Sequence, residues 1–182
     1  VARYFSLMHI VLETSRLILR RFTNSDADAA LLVQLNSDPE VLQYLQEPFL
    51  LDIHKAKEIL QNIILPQYEN NLGRWAIHLK ENNQFVGWCG LKYHPALDET
   101  DLGYRLLQSA WGKGYATEAA AATLKYGFET LHLKRIIGRA HIHNTASFAV
   151  LTKIGMTYIG EGIVDDCPVK TFEAFYDSYN PE

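Results

Sequence analysis

Gly112 and Gly114 stand one residue apart in the stretch QSAWGKGYATEAAAATLKYG (108–127). A strand-like segment precedes them, and an alanine-rich segment that can only be a helix follows. Such a junction is suited to holding an anion, because the first N–H groups of a helix have no internal partner and the helix dipole adds attraction. Glycine lets the backbone touch a phosphate and adopt positive φ, and Lys113 adds charge. A Walker loop needs Gly at 107 and Ser or Thr at 114, where Leu107 and Gly114 stand. A dinucleotide loop needs a third glycine where Thr117 stands, and it opens its domain rather than following about 110 residues.

Other residues of chemical type lie at telling spacings. Glu99 and Asp101 are two apart on an expected strand and share a face. Asn144 and Ser147 bracket the first turn of an expected short helix, with Asn144 as its cap. His141 and His143 also share a face and, with His94, raise the question of a metal; the spacing supplies no third ligand, and no metal is expected. Arg74-Trp75 and Asp165-Asp166 are candidates for lining an acceptor pocket, with solvated or packing roles as the alternative.

These residues need a scaffold, and hydrophobic periodicity outlines one. SRLILRRF (15–22) alternates as a strand. Asn24-Ser25-Asp26 caps a helix over ADAALLVQLN, and Asp38-Pro39 breaks it and can start a short one. Asp52 caps a second long helix with Ile53, Ala56, Leu60, Ile63 and Ile64 on one face, kinked or ended by Pro66. Strands at 74–80 and 84–93 form a hairpin across Glu81-Asn82-Asn83, and 100–107 is a third strand. The glycine segment opens a helix from about Ala116 to Leu131, with Ala120, Leu124, Phe128 and Leu131 inward. A strand (134–142), a helix from Thr145 to Ile154 ended by Gly155, and two weaker strands (156–162 and 170–179) complete the order. The class is α+β or mixed α/β, with helices covering a mostly antiparallel sheet, and one domain is expected for 182 residues.

The third kind of phosphate loop binds the diphosphate of coenzyme A. Trp111-Gly112-Lys113-Gly114-Tyr115-Ala116, then Thr117-Glu118-Ala119, resembles motif A of the GNAT superfamily of N-acetyltransferases, Q/R-x-x-G-x-G/A. Trp111 stands where Gln or Arg is usual, and an aromatic there is usual in the RimJ/RimL-type branch. Four further segments resemble that branch in order: Glu13-Thr14-Ser15-Arg16-Leu17-Ile18-Leu19-Arg20; Phe85-Val86-Gly87-Trp88-Cys89-Gly90-Leu91; Asp101-Leu102-Gly103-Tyr104, with Asp for the usual Glu; and Asn144-Thr145-Ala146-Ser147 with Leu151-Thr152-Lys153-Ile154-Gly155-Met156. Together they cover about 13–160.

The resemblance implies a GNAT-like twisted sheet, acetyl-CoA as co-substrate and direct attack by an amine in a ternary complex. It implies that strand 100–107 splays from the next, so that N–H groups near Leu106 and Leu107 bind the pantetheine arm and the acetyl oxygen. Donors preorganised for an oxyanion are worth ~3 kcal/mol each. It implies cofactor contacts from Trp111, Gly112, Lys113, Gly114, Tyr115, Ala116, Asn144 and Ser147. Asp101 becomes the first candidate for a base, with Glu99 as runner-up and ordinary strand-edge carboxylates as the alternative. A carboxylate near ~3.9 is a poor base, so a water relay or desolvation is required. Ser147 becomes a candidate proton relay to the thiolate, or else a helix-terminal hydrogen bond. Tyr104 and Tyr115 fit packing better than proton donation. The acceptor implied is a protein or peptide α-amino group, of the ribosomal-protein kind. A small amine or polyamine, or a non-catalytic acyl-CoA sensor on the same fold, remains as an alternative.

Composition sets the outer limits. The chain is 48% hydrophobic and 21% charged, which is ordinary for a globular protein and argues against disorder. No apolar run reaches the ~18 residues of a membrane span, and the opening VARYFSLMHIVLETSRL is too interrupted for a secretory signal. Cys89 and Cys167 alone make no disulfide framework, so a cytoplasmic setting is expected. A net charge of −4 gives no support to nucleic-acid binding. Between Arg105 and Lys153, seven basic residues face two acidic ones, a local +5 that leaves −9 on the rest. That asymmetry suggests one half facing an anion and another favouring a cation, against simple clustering of solvated charge. A monomer or homodimer is expected.

Overall fold

Strand β2 (Leu17–Arg21) buries Leu17 and Leu19 completely. The computed structural model, which describes residues 9–179, builds around it one eight-stranded sheet in the order β1-β2-β3-β4-β5-β6-β8-β7. The others are β1 (Ile10–Glu13), β3 (Gly73–Leu79), β4 (Phe85–His94), β5 (Glu99–Leu106), β6 (Arg135–His141), β7 (Thr157–Val164) and β8 (Cys167–Phe175). All neighbours are antiparallel except β5 and β6. The helices are α1 (Asp26–Asn36), α2 (Pro39–Leu42), α3 (Ile53–Ile59), α4 (Tyr115–Glu129), α5 (Thr145–Lys153) and α6 (Tyr176–Tyr179). This is the mixed α/β, mostly antiparallel class expected from the sequence.

Helix α4 crosses between β5 and β6 and buries Ala120, Leu124 and Phe128 completely, while Leu131 is only partly buried. Its Gly127 lies so close to the sheet that a Cβ there would meet Ile136 Cδ1 at 2.5 Å and Leu91 Cδ1 at 3.1 Å. Leu91 therefore faces α4, and its neighbours on alternate positions, Trp88, Gly90 and Lys92, face away from it.

Three elements differ from expectation. β1 has no sequence signal: three of its four residues are half-buried at the sheet edge, Glu13 is exposed, and the segment carries no alternation. The helix from Asp52 stays α-helical only to Ile59, then widens to a π-turn (Leu60–Ile64) and tightens to 3-10 turns (Leu65–Asn70). Pro66 has no N–H to continue the α-helical ladder. Ala56, Leu60 and Ile64 are buried, whereas Ile53 and Ile63 are exposed. Finally, 170–179 is not all strand, because α6 takes its last four residues. Asp165 and Asp166 join β7 to β8 with both φ positive, at 49° and 60°, as a two-residue hairpin turn requires.

Candidate active site

The split between β5 and β6 is the centre of the site. Their register is only Asp101↔Ile137 and Leu102↔Gly138, and the strands part beyond it. Leu107 N–H donates to Val86 O on β4 at 2.9 Å, so it is not the free donor expected. Leu106 pairs with Gly87 without exchanging bonds, which turns its own N–H and C=O toward the split. Trp111, an exposed side chain, returns its indole N–H to Leu106 O at 3.0 Å.

The loop after β5 enters α4 with φ of +72° at Gly112 and +78° at Gly114. Gly114 is the N-cap residue and offers no side chain to the helix, so the N–H groups of Tyr115, Ala116 and Thr117 lack helical partners. A Cβ at Gly112 would meet nothing within 4 Å; positive φ and open space, not crowding, account for that glycine. Lys113 is exposed and does not line the adjoining cavity.

Two residues given no role by the sequence brace this loop. Arg16 Nη1 donates to Lys113 O (2.9 Å), its Nε donates to Glu118 Oε2 (2.6 Å), and its guanidinium lies 4.7 Å from the Tyr115 ring centre. Glu118 Oε1 also accepts from Thr14 Oγ1, Ser15 Oγ and Arg16 N. Burial opposes the Glu118 charge, but these donors outweigh it and hold the carboxyl down at about 2.

A cavity of about 820 Å³ runs from this loop past Asn144 and Ser147 to Asp101, His94 and Asp165. Asn144 caps α5, its Oδ1 accepting Ser147 N–H at 3.1 Å. Tyr104 donates its hydroxyl to Ser147 O at 3.3 Å, and burial raises its pKa, so it is a packed, proton-bearing phenol. Asp101 keeps a quarter of its side chain accessible, yet its Oδ1 is buried without a hydrogen-bond partner. Burial pushes this carboxyl up to about 7 against the pull of Arg139 and Lys92. His94 Nε2, also unpartnered, lies 3.9 Å from Asp101 Oδ2, and burial lowers its pKa.

Glu99 is a different kind of carboxylate despite sharing the face of Asp101. It is ion-paired to Arg139 and to Arg135 (3.2 Å). The hydrogen bond from Arg139 leads the effects that hold its pKa low. A carboxylate so held is a poorer proton acceptor than Asp101. Trp75 is 1% exposed and belongs to the core, not to a pocket, whereas Arg74 lines the cavity. Asp165 lines it too, and Asp166 is not part of its wall. His141 stacks on Tyr44 at 5.6 Å and accepts His143 N–H at Nδ1. The local +5 is largely neutralised, since Arg105, Arg135 and Arg139 pair with Glu47, Glu173 and Glu99.

A sheet that splays beside an uncapped, glycine-rich helix mouth defines a class of acyl-carrier-binding transferase. The chain belongs to the GNAT family: the model of the acetyltransferase (GNAT) domain matches residues 16–157. It is 34% identical over 156 residues to the N-acetyltransferase p20 of Bacillus licheniformis, covering 85% of each chain. Its fold is similar to RimL, a ribosomal L7/L12 alpha-N-protein acetyltransferase solved with coenzyme A (TM-score 0.78, 19% identity, 93% of this chain and 99% of that one). It is also similar to the spermidine N-acetyltransferase of Vibrio cholerae solved with coenzyme A and spermine (TM-score 0.75, 17% identity, 91% and 99%). The protein is thus an acyltransferase of the N-acetyltransferase type, in a family whose co-substrate is acetyl-CoA. None of its described helices is long and apolar enough to cross a membrane.

Proposed function

We propose that the protein acetylates the α-amino group of a peptide or protein, with Asp101 taking the proton from the incoming ammonium. The observation that carries this reading is the Asp101 carboxyl, desolvated in the cleft to about 7, with an oxygen that no other group satisfies. An α-ammonium titrates near ~7.7–8.0 and an alkyl ammonium near ~10.4. A base near 7 is matched to the first and about three units short of the second, and proton transfer is most effective between matched groups.

The carrier supplies an activated acetyl thioester. The Gly112–Ala116 backbone and the Arg16–Glu118 brace support a diphosphate at the α4 mouth. Leu106 N–H is the donor for the acetyl oxygen. Asp101 first accepts one proton from the ammonium; the freed amine nitrogen then forms the new C–N bond as the C–S bond breaks, and it sheds a second proton toward the departing thiolate. The Ser147 hydroxyl, in the first turn of α5 beside the split, relays a proton to the departing thiolate. Asn144 and Tyr104 fix the turn that carries Ser147.

Incubation with acetyl-CoA and a mixture of free peptides, N-terminally blocked lysine peptides and spermidine, read by mass spectrometry, tests the reading. Acetylation is expected on free α-amines ahead of the alkyl amines. Preference for spermidine or lysine side chains would reassign the acceptor to alkyl amines. Acetyl-CoA binding without turnover on any amine would make the protein a sensor.

A further inference from the structure

The face of the sheet opposite α4 carries cations that the protein leaves unmatched. Period two and strand register place Trp88, Lys92, Asp101, Gly103 and Arg105 together on it, with Trp88 opposite Arg105, Lys92 opposite Asp101, and Arg74 in line with Gly90 and Gly103. Two guanidiniums flank the Trp88 indole, Arg74 at 4.8 Å and Arg105 at 5.7 Å from its centre. Their circumstances differ. Arg105 grips Glu47 through both nitrogens, Nη1 to Oε2 and Nη2 to Oε1 at 3.0 Å each, and also bonds Asn36 Oδ1. Arg74 is within electrostatic reach of Glu47, but both oxygens of that carboxylate are taken.

Among the described residues neither Arg74 nor Lys92 makes a side-chain hydrogen bond or ion pair, yet both line the cavity that holds Asp101. Burial and then the Arg105 charge lower the Arg74 pKa, against a weaker opposing pull from Glu47. A half-buried guanidinium with an empty donor fork is shaped for a carboxylate. The Trp88 ring bridges the distance to the base: it lies over Gly103, where a Cβ would meet its Cη2 at 3.4 Å, and Gly103 is two residues from Asp101.

From this geometry we infer that the amine acceptor also carries a carboxylate, held by the Arg74 fork over Trp88, with Lys92 adding charge, while its ammonium meets Asp101. The inference rests on the proposed function, which puts the carrier diphosphate at the α4 mouth and leaves this face for the acceptor. Two sources supply such a carboxylate near an α-amine: an acidic side chain at the start of a peptide, or the α-carboxylate of a short free peptide.

Steady-state kinetics on two matched pairs separates them. Glu-Ala-Ala-amide against Gln-Ala-Ala-amide reads the side-chain source; dialanine against dialanine amide reads the terminal source. The acid member of at least one pair is expected to have a kcat/KM about 10- to 100-fold higher, mostly through KM, the range of one charged hydrogen-bonded contact. Arg74→Met is expected to collapse that ratio to below about threefold. If the substituted protein fails to fold, the wild-type ratio decides by itself. Acetylation of all four peptides with neutral members equal or better overturns this inference and leaves the proposed function standing. No acetylation of any of the four by protein that binds acetyl-CoA overturns both.

Discussion

Two sets of acidic and basic side chains packed on one sheet have opposite fates. Arg20 and Asp28, 8% and 5% exposed, close on each other with Nη2–Oδ1 at 2.6 Å and Nη1–Oδ2 at 3.0 Å. Thr23 adds two more donors to the same carboxylate. In the cleft, Asp101 and Arg74 are only partly withdrawn from water, and neither is given a partner of opposite charge within hydrogen-bond reach. Burial opposes the charge of both carboxylates; Arg20 and Thr23 overturn that opposition for Asp28, whose pKa falls, and nothing overturns it for Asp101. The Arg20–Asp28 charges satisfy each other and organise the fold, whereas those of the cleft are the ones the proposed acceptor would satisfy.

The contrast is broken most strongly by swapping each carboxylate for its amide. Asp101→Asn is expected to lower kcat by about 10²- to 10⁴-fold, the usual worth of a positioned base, in a protein that still folds. The sign of its stability effect follows from the raised pKa. The Asp101 contribution is present below the ordinary value of 3.8 and is lost as pH rises through about 7. The variant is therefore expected to melt higher than wild type at pH 8, by calorimetry. Asp28→Asn is the converse: about 3–5 kcal/mol lost in urea unfolding, because the buried Arg20–Asp28 ion pair is broken, with kcat of the remaining folded protein little changed.

Smaller effects sharpen the picture at the helix mouth. Gly114→Val is expected to raise the KM for acetyl-CoA strongly, since a β-branched residue resists φ of +78° and its methyls would approach the phosphate space and Arg16. Folded protein with unchanged KM would count against the loop assignment. Glu118→Gln should raise the same KM by only a few-fold and leave the peptide KM alone. Glu118 also contributes stability that is present above the ordinary 4.5 and lost as pH falls through about 2. Acid unfolding of the Gln variant should accordingly lose that component of the pH dependence.

Local chemistry was readable in the chain and long-range pairing was not. The glycine loop, the Asn144 cap and the α4 face follow from neighbours a few residues apart, and they stand where the sequence places them. The Arg16–Glu118 brace joins residues 102 apart, and no spacing rule reveals it. Glu99 and Asp101 looked alike because period two sees only the shared face; the arginines that separate them come from β6. Leu106 and Leu107 were interchangeable until strand pairing decided which N–H was already used. The Asp165-Asp166 turn did carry a signal, since two residues that tolerate positive φ between alternating runs mark a hairpin.

The most direct test is kcat against pH at saturating acetyl-CoA and peptide, for wild type and Asp101→Asn side by side. The account predicts a wild-type rate that rises through an apparent pKa near 7 and then levels, and a variant with a low rate lacking that rise. A rise of the same midpoint and size in both proteins would contradict it.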